Sequence, residues 1–240
     1  MNSGVFLHPY LTVVLLLCVL FLCCVLIAGP HRKTLILVGA ISVPGSFLSF
    51  VFVPDYWNPV RLFEVNPGIE DVLFSFVTGA LVWFLSANKY EEKGLKYHKN
   101  RRVGVKRYFK MVAIGAVTLA LVSRFESLNI MSHILITMFI TSLLVGWHYK
   151  DMVSIALSNS VLFGVFYTSF LVVTFQLFPQ FESQWNSEHS WGVSILSIPL
   201  EEIVWAFSFG FTWTLITFYL LYLKQDEVLE NTGLNPLSQG

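Results

Sequence analysis

Seven runs of mainly apolar residues, 6–28, 34–53, 68–88, 108–124, 129–147, 152–178 and 198–223, take up most of this 240-residue chain. A helix crossing the hydrocarbon of a bilayer needs roughly 20 such residues, so each run reads as a membrane span. Composition agrees, because 55% hydrophobic and 12% charged residues do not describe a soluble domain. The expected fold is all-α and polytopic, with about seven transmembrane helices. The run 108–124 is the shortest, and Arg107, Lys110 and Arg124 lie in or beside it. The first run has no basic region before it and no small-residue cleavage site after it, so it is expected to be retained rather than removed as a signal peptide. The polar tail after Leu223 is too short to bury a core of its own.

Charge placement orients these spans, since cytoplasmic loops collect Lys and Arg. With seven spans, one side receives Arg32, Lys33, the basic loop from Lys89 to Lys110, Lys150 and Lys224, which is 13 of the 15 basic residues. The other side receives Arg61 and Arg124. The N-terminus is therefore expected outside and the C-terminus in the cytoplasm, with Gln180 to Trp191 facing outward in a multi-pass membrane protein. The basic loop reads as a topology signal in contact with anionic lipid, and no nucleic-acid partner is expected. Cys18, Cys23 and Cys24 all sit in the first run and read as small buried hydrophobes. The histidines are scattered, and no metal constellation emerges from the spacing.

Two acidic pairs, Glu70-Asp71 and Glu201-Glu202, each open a long apolar run. Sliding the chain by 131 residues lays Glu70 to Phe76 over Glu201 to Phe207, with Gly79 over Gly210. A weaker match sets His31-Arg32-Lys33 against His148-Tyr149-Lys150 at a shift of 117. Two three-helix repeats are thus expected: residues 1–106 with the basic loop, and residues 129–240 with the tail, joined by a linking span in 107–128. The linking span restores the direction of the second repeat, so the repeats run parallel and all four carboxyl groups start their helices at the same side of the bilayer.

An acid in the first turn of a helix offsets the macrodipole, and Pro199 suits a helix start. That accounts for one acid. It does not account for a pair at matched positions in both repeats, each followed by an aromatic wall. Phe74, Phe76, Trp83 and Phe84 follow the first pair; Trp205, Phe207, Phe209, Phe211, Trp213 and Phe218 follow the second. Glu202, Phe209 and Trp213 fall near one helical face. Aromatic residues are common in membrane helices, but their π faces also stabilise a cation that water cannot reach. Neighbouring carboxyls that repel in a half-dry site leave one able to stay protonated as an acid. Acid, dry pocket and aromatic lining together suit carbocation chemistry on a long polyene, with one carboxyl giving a proton and another taking one. The chain has no dinucleotide fingerprint, phosphate loop or nucleophile elbow, and no cofactor is expected.

Ile198-Pro199-Leu200-Glu201-Glu202, together with Pro54-Asp55-Tyr56 and the stretch Asn66 to Phe76, resembles the integral-membrane lycopene cyclase domain family, found as heterodimers or fused repeats in bacteria, archaea and bifunctional fungal enzymes. The likeness covers nearly the whole chain. It implies an isomerase of carotenoid biosynthesis that closes the ends of lycopene, or of a related polyene, into rings without a flavin. It implies Glu201, Glu202, Glu70 and Asp71 as catalytic carboxylates, with Phe74, Trp205, Phe209 and Trp213 shielding the cation. Membrane lipid and the polyene are the implied partners, with room for other membrane enzymes of the same pathway. The chain departs from the family pattern at Gly68, where a proline is usual, at Asp71, where a second Glu is commoner, and in Thr34 to Val53, which lacks an expected acid.

Rival readings make different demands. An intramembrane prenyl-protein protease also uses paired glutamates, but with an Arg four residues after the second, where this chain has Ala206. A rhodopsin needs a Schiff-base Lys within its last helix, and Lys224 lies at the helix end. A transporter or scaffold with proton- or ion-binding acids would be expected to continue its polar groups across the bilayer.

Overall fold

The computed structural model describes residues 8–93, 95, 97 and 101–222. Parts of the first and last apolar runs, several residues of the basic loop, Lys224 and the tail after Leu223 lie outside the described residues. The chain is a bundle of long helices: α1 (Pro9–Ile27), α2 (Arg32–Ser42), α3 (Ser49–Phe52), α4 (Ile69–Glu92), α5 (Arg101–Val122), α6 (Ile130–His148), α7 (Lys150–Leu177), α8 (Pro179–Glu182) and α9 (Leu200–Leu221). The only sheet among the described residues is a two-stranded hairpin, β1 (Ser194–Ile195) and β2 (Ile198–Pro199). This is an all-α, multi-pass membrane protein.

Among the described residues, six stretches are long and apolar enough to cross a membrane: Pro9–Ile27, Gly29–Phe52, Ile69–Tyr90, Ile130–His148, Lys150–Leu177 and Leu200–Leu221. The expected fourth span is a helix too, α5, but Arg102, Lys106, Arg107 and Lys110 in its first half keep it out of that set. The expected second span is one crossing in two pieces. After α2 the chain tightens into a 3-10 stretch over Val43–Leu48 before α3. Pro44 has no N–H to give to an α-helical ladder and its ring crowds the preceding turn, so the helix cannot run through it.

Helix α4 packs on α1 and α2, and α9 packs on α6 and α7. The third long helix of each expected repeat is thus its central one, and α4 meets both α7 and α9 between them. Glycines set the closest approaches. A Cβ at Gly164 would come within 2.5 Å of the Phe207 ring, and one at Gly39 within 2.8 Å of the Phe76 ring. Buried Asn159 of α7 fastens the middle of the bundle, giving hydrogen bonds to the Val82 carbonyl of α4 at 2.8 Å and to Thr214 Oγ1 of α9 at 2.6 Å. In an apolar core such a bond is retained because an orphaned amide would be costly.

A buried carboxylate site under a two-loop cap

The two acidic pairs come to the same end of the bundle because the loops that precede α4 and α9 are tied to each other. Asn58 N donates to the Gln184 carbonyl at 2.8 Å and Asn186 N to that of Tyr56 at 2.9 Å. The Trp57 and Trp185 rings stack with centroids 5.8 Å apart. The start of α9 is aimed by the hairpin, in which Ser194 pairs with Pro199 and Ile195 with Ile198. Its two turn residues, Leu196 and Ser197, both have left-handed φ, 52° and 66°. That is the pattern that matches the strand twist in a two-residue hairpin, and it is unusual for residues with a Cβ.

All four carboxyl side chains are buried, and within each pair they do different things. Glu70 Oε1 accepts from the Leu62 N–H at 2.7 Å, and Glu201 Oε1 accepts from the Trp191 N–H. In both, Oε2 has no hydrogen-bond partner among the described residues. The first acid of each pair therefore clips the loop that leads into its own helix. The second acids, Asp71 and Glu202, line a common cavity of about 590 Å³, as do Phe74, Trp205, Phe209 and Trp213.

The second acids differ in their partners. Asp71 Oδ2 accepts from Arg61 Nη2 at 2.8 Å and from the Gly68 N–H at 2.7 Å, and Oδ1 accepts from the Tyr10 hydroxyl at 3.0 Å. The Arg61–Asp71 ion pair is buried, its side chains 8% and 5% exposed. Glu202 Oε1 accepts from the Tyr56 hydroxyl and from Trp185 Nε1, each at 3.1 Å. Tyr167 of α7 is a third hydrogen-bond partner of Glu202, so its partners are all neutral and come from the two loops of the cap and from α7. Tyr56 keeps its hydroxyl proton: burial, and then the neighbouring Glu202 and Glu201 carboxyls, push its pKa well above the ordinary tyrosine value.

Local sequence explains this asymmetry. Asp71 sits three residues after Gly68, and a carboxylate there reaches back to the N–H that precedes the helix, as in half of a capping box. Glu202 sits three residues after Pro199, which has no N–H to offer. The same backbone position thus ties one carboxylate to its own helix start and leaves the other to the cap. The departure at Gly68 is also steric: a Cβ there would lie 2.7 Å from Glu70 Oε2 and 2.8 Å from Arg61 Cδ.

Along the cavity, Trp205, Phe209 and Trp213 form a ladder on one face of α9, with centroids 5.1 Å and 5.9 Å apart and planes within 12°. Phe74 stacks on Trp205 at 6.0 Å, and Tyr167 meets Trp205 edge-on at 5.2 Å. The broken second span, which carries no acid, turns Ser42, Ser46 and Ser49 toward the cavity. Ser42 and Ser49 already donate, to the Ser75 carbonyl and to Asn66 Oδ1, both at 2.6 Å. Sequence reasoning did not assign Tyr10, Arg61 or Trp185 to the site, and it met Tyr56 only as part of a motif. A signal for Arg61 was available, since it is one of two basic residues on a side of the charge plan otherwise without them.

Fold and site together define a membrane-embedded protein in which two buried carboxyl groups, Asp71 and Glu202, face an aromatic, apolar chamber. Residues 129–220, which carry Glu201, Glu202 and the Trp205–Phe209–Trp213 ladder, match the family model described as lycopene cyclase. The match spans 92 of the 240 residues and supports a lycopene cyclase domain in that stretch, a family of carotenoid cyclases. No curated protein and no solved structure matches the chain.

Proposed function

We propose that this protein cyclises the ends of an acyclic carotenoid such as lycopene, with Glu202 as acid and Asp71 as base. The observation that carries the assignment is the unequal company of the two carboxyls facing one cavity: Arg61 compensates the charge of Asp71, whereas Glu202 is held only by neutral donors. An ionised carboxylate in a dry site needs a countercharge, so Glu202 is the carboxyl suited to carry a proton. Tyr56 and Trp185 both donate to Oε1, and Tyr167 adds a third neutral hydrogen-bond partner.

In the proposed reaction the Glu202 proton adds to the terminal double bond of the polyene and leaves a tertiary cation. The electron pair of a nearby double bond closes a six-membered ring and moves the cation along the chain. Asp71 removes a proton beside the new cation, and that carbon–hydrogen pair becomes the ring double bond. No atom is gained or lost, and the proton on Asp71 must return to Glu202 before the next turnover. The ladder of Trp205, Phe209 and Trp213 offers π faces to the migrating charge where water is excluded. Glu70 and Glu201 act through position, fixing the loops that bring Arg61, Tyr56 and Trp185 to the second acids. The two-repeat division at 1–106 and 129–240 and an outward-facing cap, with the C-terminus cytoplasmic, complete this reading, and the charge plan supports it.

The test is to express the chain in a bacterial host that accumulates lycopene and to separate the pigments, with Glu202→Gln alongside. A ringed carotenoid that vanishes in the variant carries the proposal. Unchanged lycopene with verified membrane insertion overturns it for this substrate.

A further inference from the structure

A long, water-insoluble polyene has to reach Glu202 from the bilayer, and the two loops close the end of the bundle above the acids. The cavity lining shows another way in. It extends along α9 from Glu202 to Ile216, about 21 Å at the rise of an α-helix. One long bank comes from the broken second span, with Pro44, Gly45 and Phe47. The opposite bank comes from α5, with Val112, Gly115 and Ala116. Of these six, all but Gly115 are exposed as well as cavity-lining. The packing partners of the banks differ: α2 lies on α4, while α5 lies on α6 and α9. Toward the cap, α3 touches α6 and ends the gap there. A Cβ at Gly115 would meet nothing within 4 Å, and one at Gly45 only Ser75 Oγ at 3.8 Å. The break at Pro44 and the small residues of α5 thus keep side chains out of the same gap.

We propose that the gap between α5 and the 3-10 stretch Val43–Leu48 is the lateral portal through which a linear polyene slides from lipid into the cavity, with Gly115 as its width-setting residue. This rests on the proposed cyclase reading for the identity of the substrate, but the portal itself is a statement about any long apolar chain. Helix α5, most of which lies in the expected link 107–128 between the repeats, then has a role that a linker does not: it is the second wall of the entrance.

The experiment uses the full chain in lipid nanodiscs, with the exposed Trp147 and Trp191 replaced by Phe in every variant, and a linear conjugated tetraene fatty acid, trans-parinaric acid, as energy acceptor from the remaining tryptophans, Trp205 and Trp213 among them. Gly115→Phe fills the portal. Val117→Phe adds the same ring to the same helix at a position that is 59% exposed and does not line the cavity. Gly115→Phe is expected to slow the rise of energy transfer by at least about tenfold, since a restricted approach lowers the on-rate, with Val117→Phe within about twofold of the parent. Entry into Gly115→Phe at the parent rate overturns the portal, and so does equal slowing in both variants. If the parent takes up the tetraene through this gap yet leaves lycopene unchanged in cells, the cyclase reading fails while the portal stands.

Discussion

Two helices of this protein begin with paired carboxyls at matched positions, one after Gly68 and one after Pro199, and the two pairs do not end up alike. In both, the first acid holds a loop by a backbone N–H. The second acid of the α4 pair is enclosed by a cation, a backbone N–H and a phenol. That of the α9 pair is held by a phenol and an indole of the cap and by a second phenol, Tyr167 of α7. One missing N–H, at a proline, separates a carboxylate tied to its own helix start beside a cation from one held only by neutral partners. Near-duplication in sequence therefore yields division of labour in space.

The strongest way to break this comparison is to remove one second acid at a time. Glu202→Gln is expected to lower carotenoid cyclisation by ~10²–10⁴-fold, the range for loss of a positioned general acid, and an active Glu202→Gln variant would reverse the assignment of roles. Next in size is Arg61→Met, which leaves Asp71 buried without its countercharge and should cost about 3–5 kcal/mol of stability. Thermal unfolding in detergent would register it, and Arg61→Met with Asp71→Asn should recover much of the loss. If the double variant is no more stable than Arg61→Met alone, the ion pair is not what holds this half together. Gly68→Pro asks whether the first half can be converted to the second. It deletes the N–H bonded to Asp71 and intrudes on Glu70 and Arg61, for an expected loss of roughly 2–3 kcal/mol. An unshifted unfolding midpoint would contradict that account. The smallest effect is expected from Tyr56→Phe, which removes one of the two donors to Glu202 Oε1. It should cost about 1 kcal/mol and slow cyclisation several-fold, whereas loss comparable to Glu202→Gln would make Tyr56 itself part of the proton transfer.

Most of the helices were legible because hydrocarbon permits little else to runs such as 129–147 and 152–178. The break inside the second span was not read from Pro44-Gly45, since hydropathy is continuous across it and only the lost N–H and ring clash interrupt the helix. In α5 the helix was legible, but its first half is too basic to be counted with the other crossings. The acids and the aromatic ladder could be found because both are local: two adjacent carboxyls, then rings at helical spacing. Their partners could not. Tyr10 is 61 positions from Asp71, and Tyr56 is 146 from Glu202; the packing of α1 on α4 brings the first pair together and the pairing of two irregular loops the second. The pair at each helix start also looked like four equivalent carboxyls. That the first of each turns to a loop and the second to the cavity depends on backbone donors at Leu62, Trp191 and Gly68, which have no signature in side-chain pattern.

A chamber roofed at one end and holding a single Glu202 has an arithmetic consequence for a substrate with two like ends. On the proposed reaction only one end can be at the acid at a time, so a molecule that has gained its first ring must back out, turn over in the bilayer and enter again. The half-finished product is then an ordinary lipid-dissolved species that competes with fresh substrate. Scarce enzyme would fill the membrane with one-ringed pigment before any two-ringed pigment accumulates.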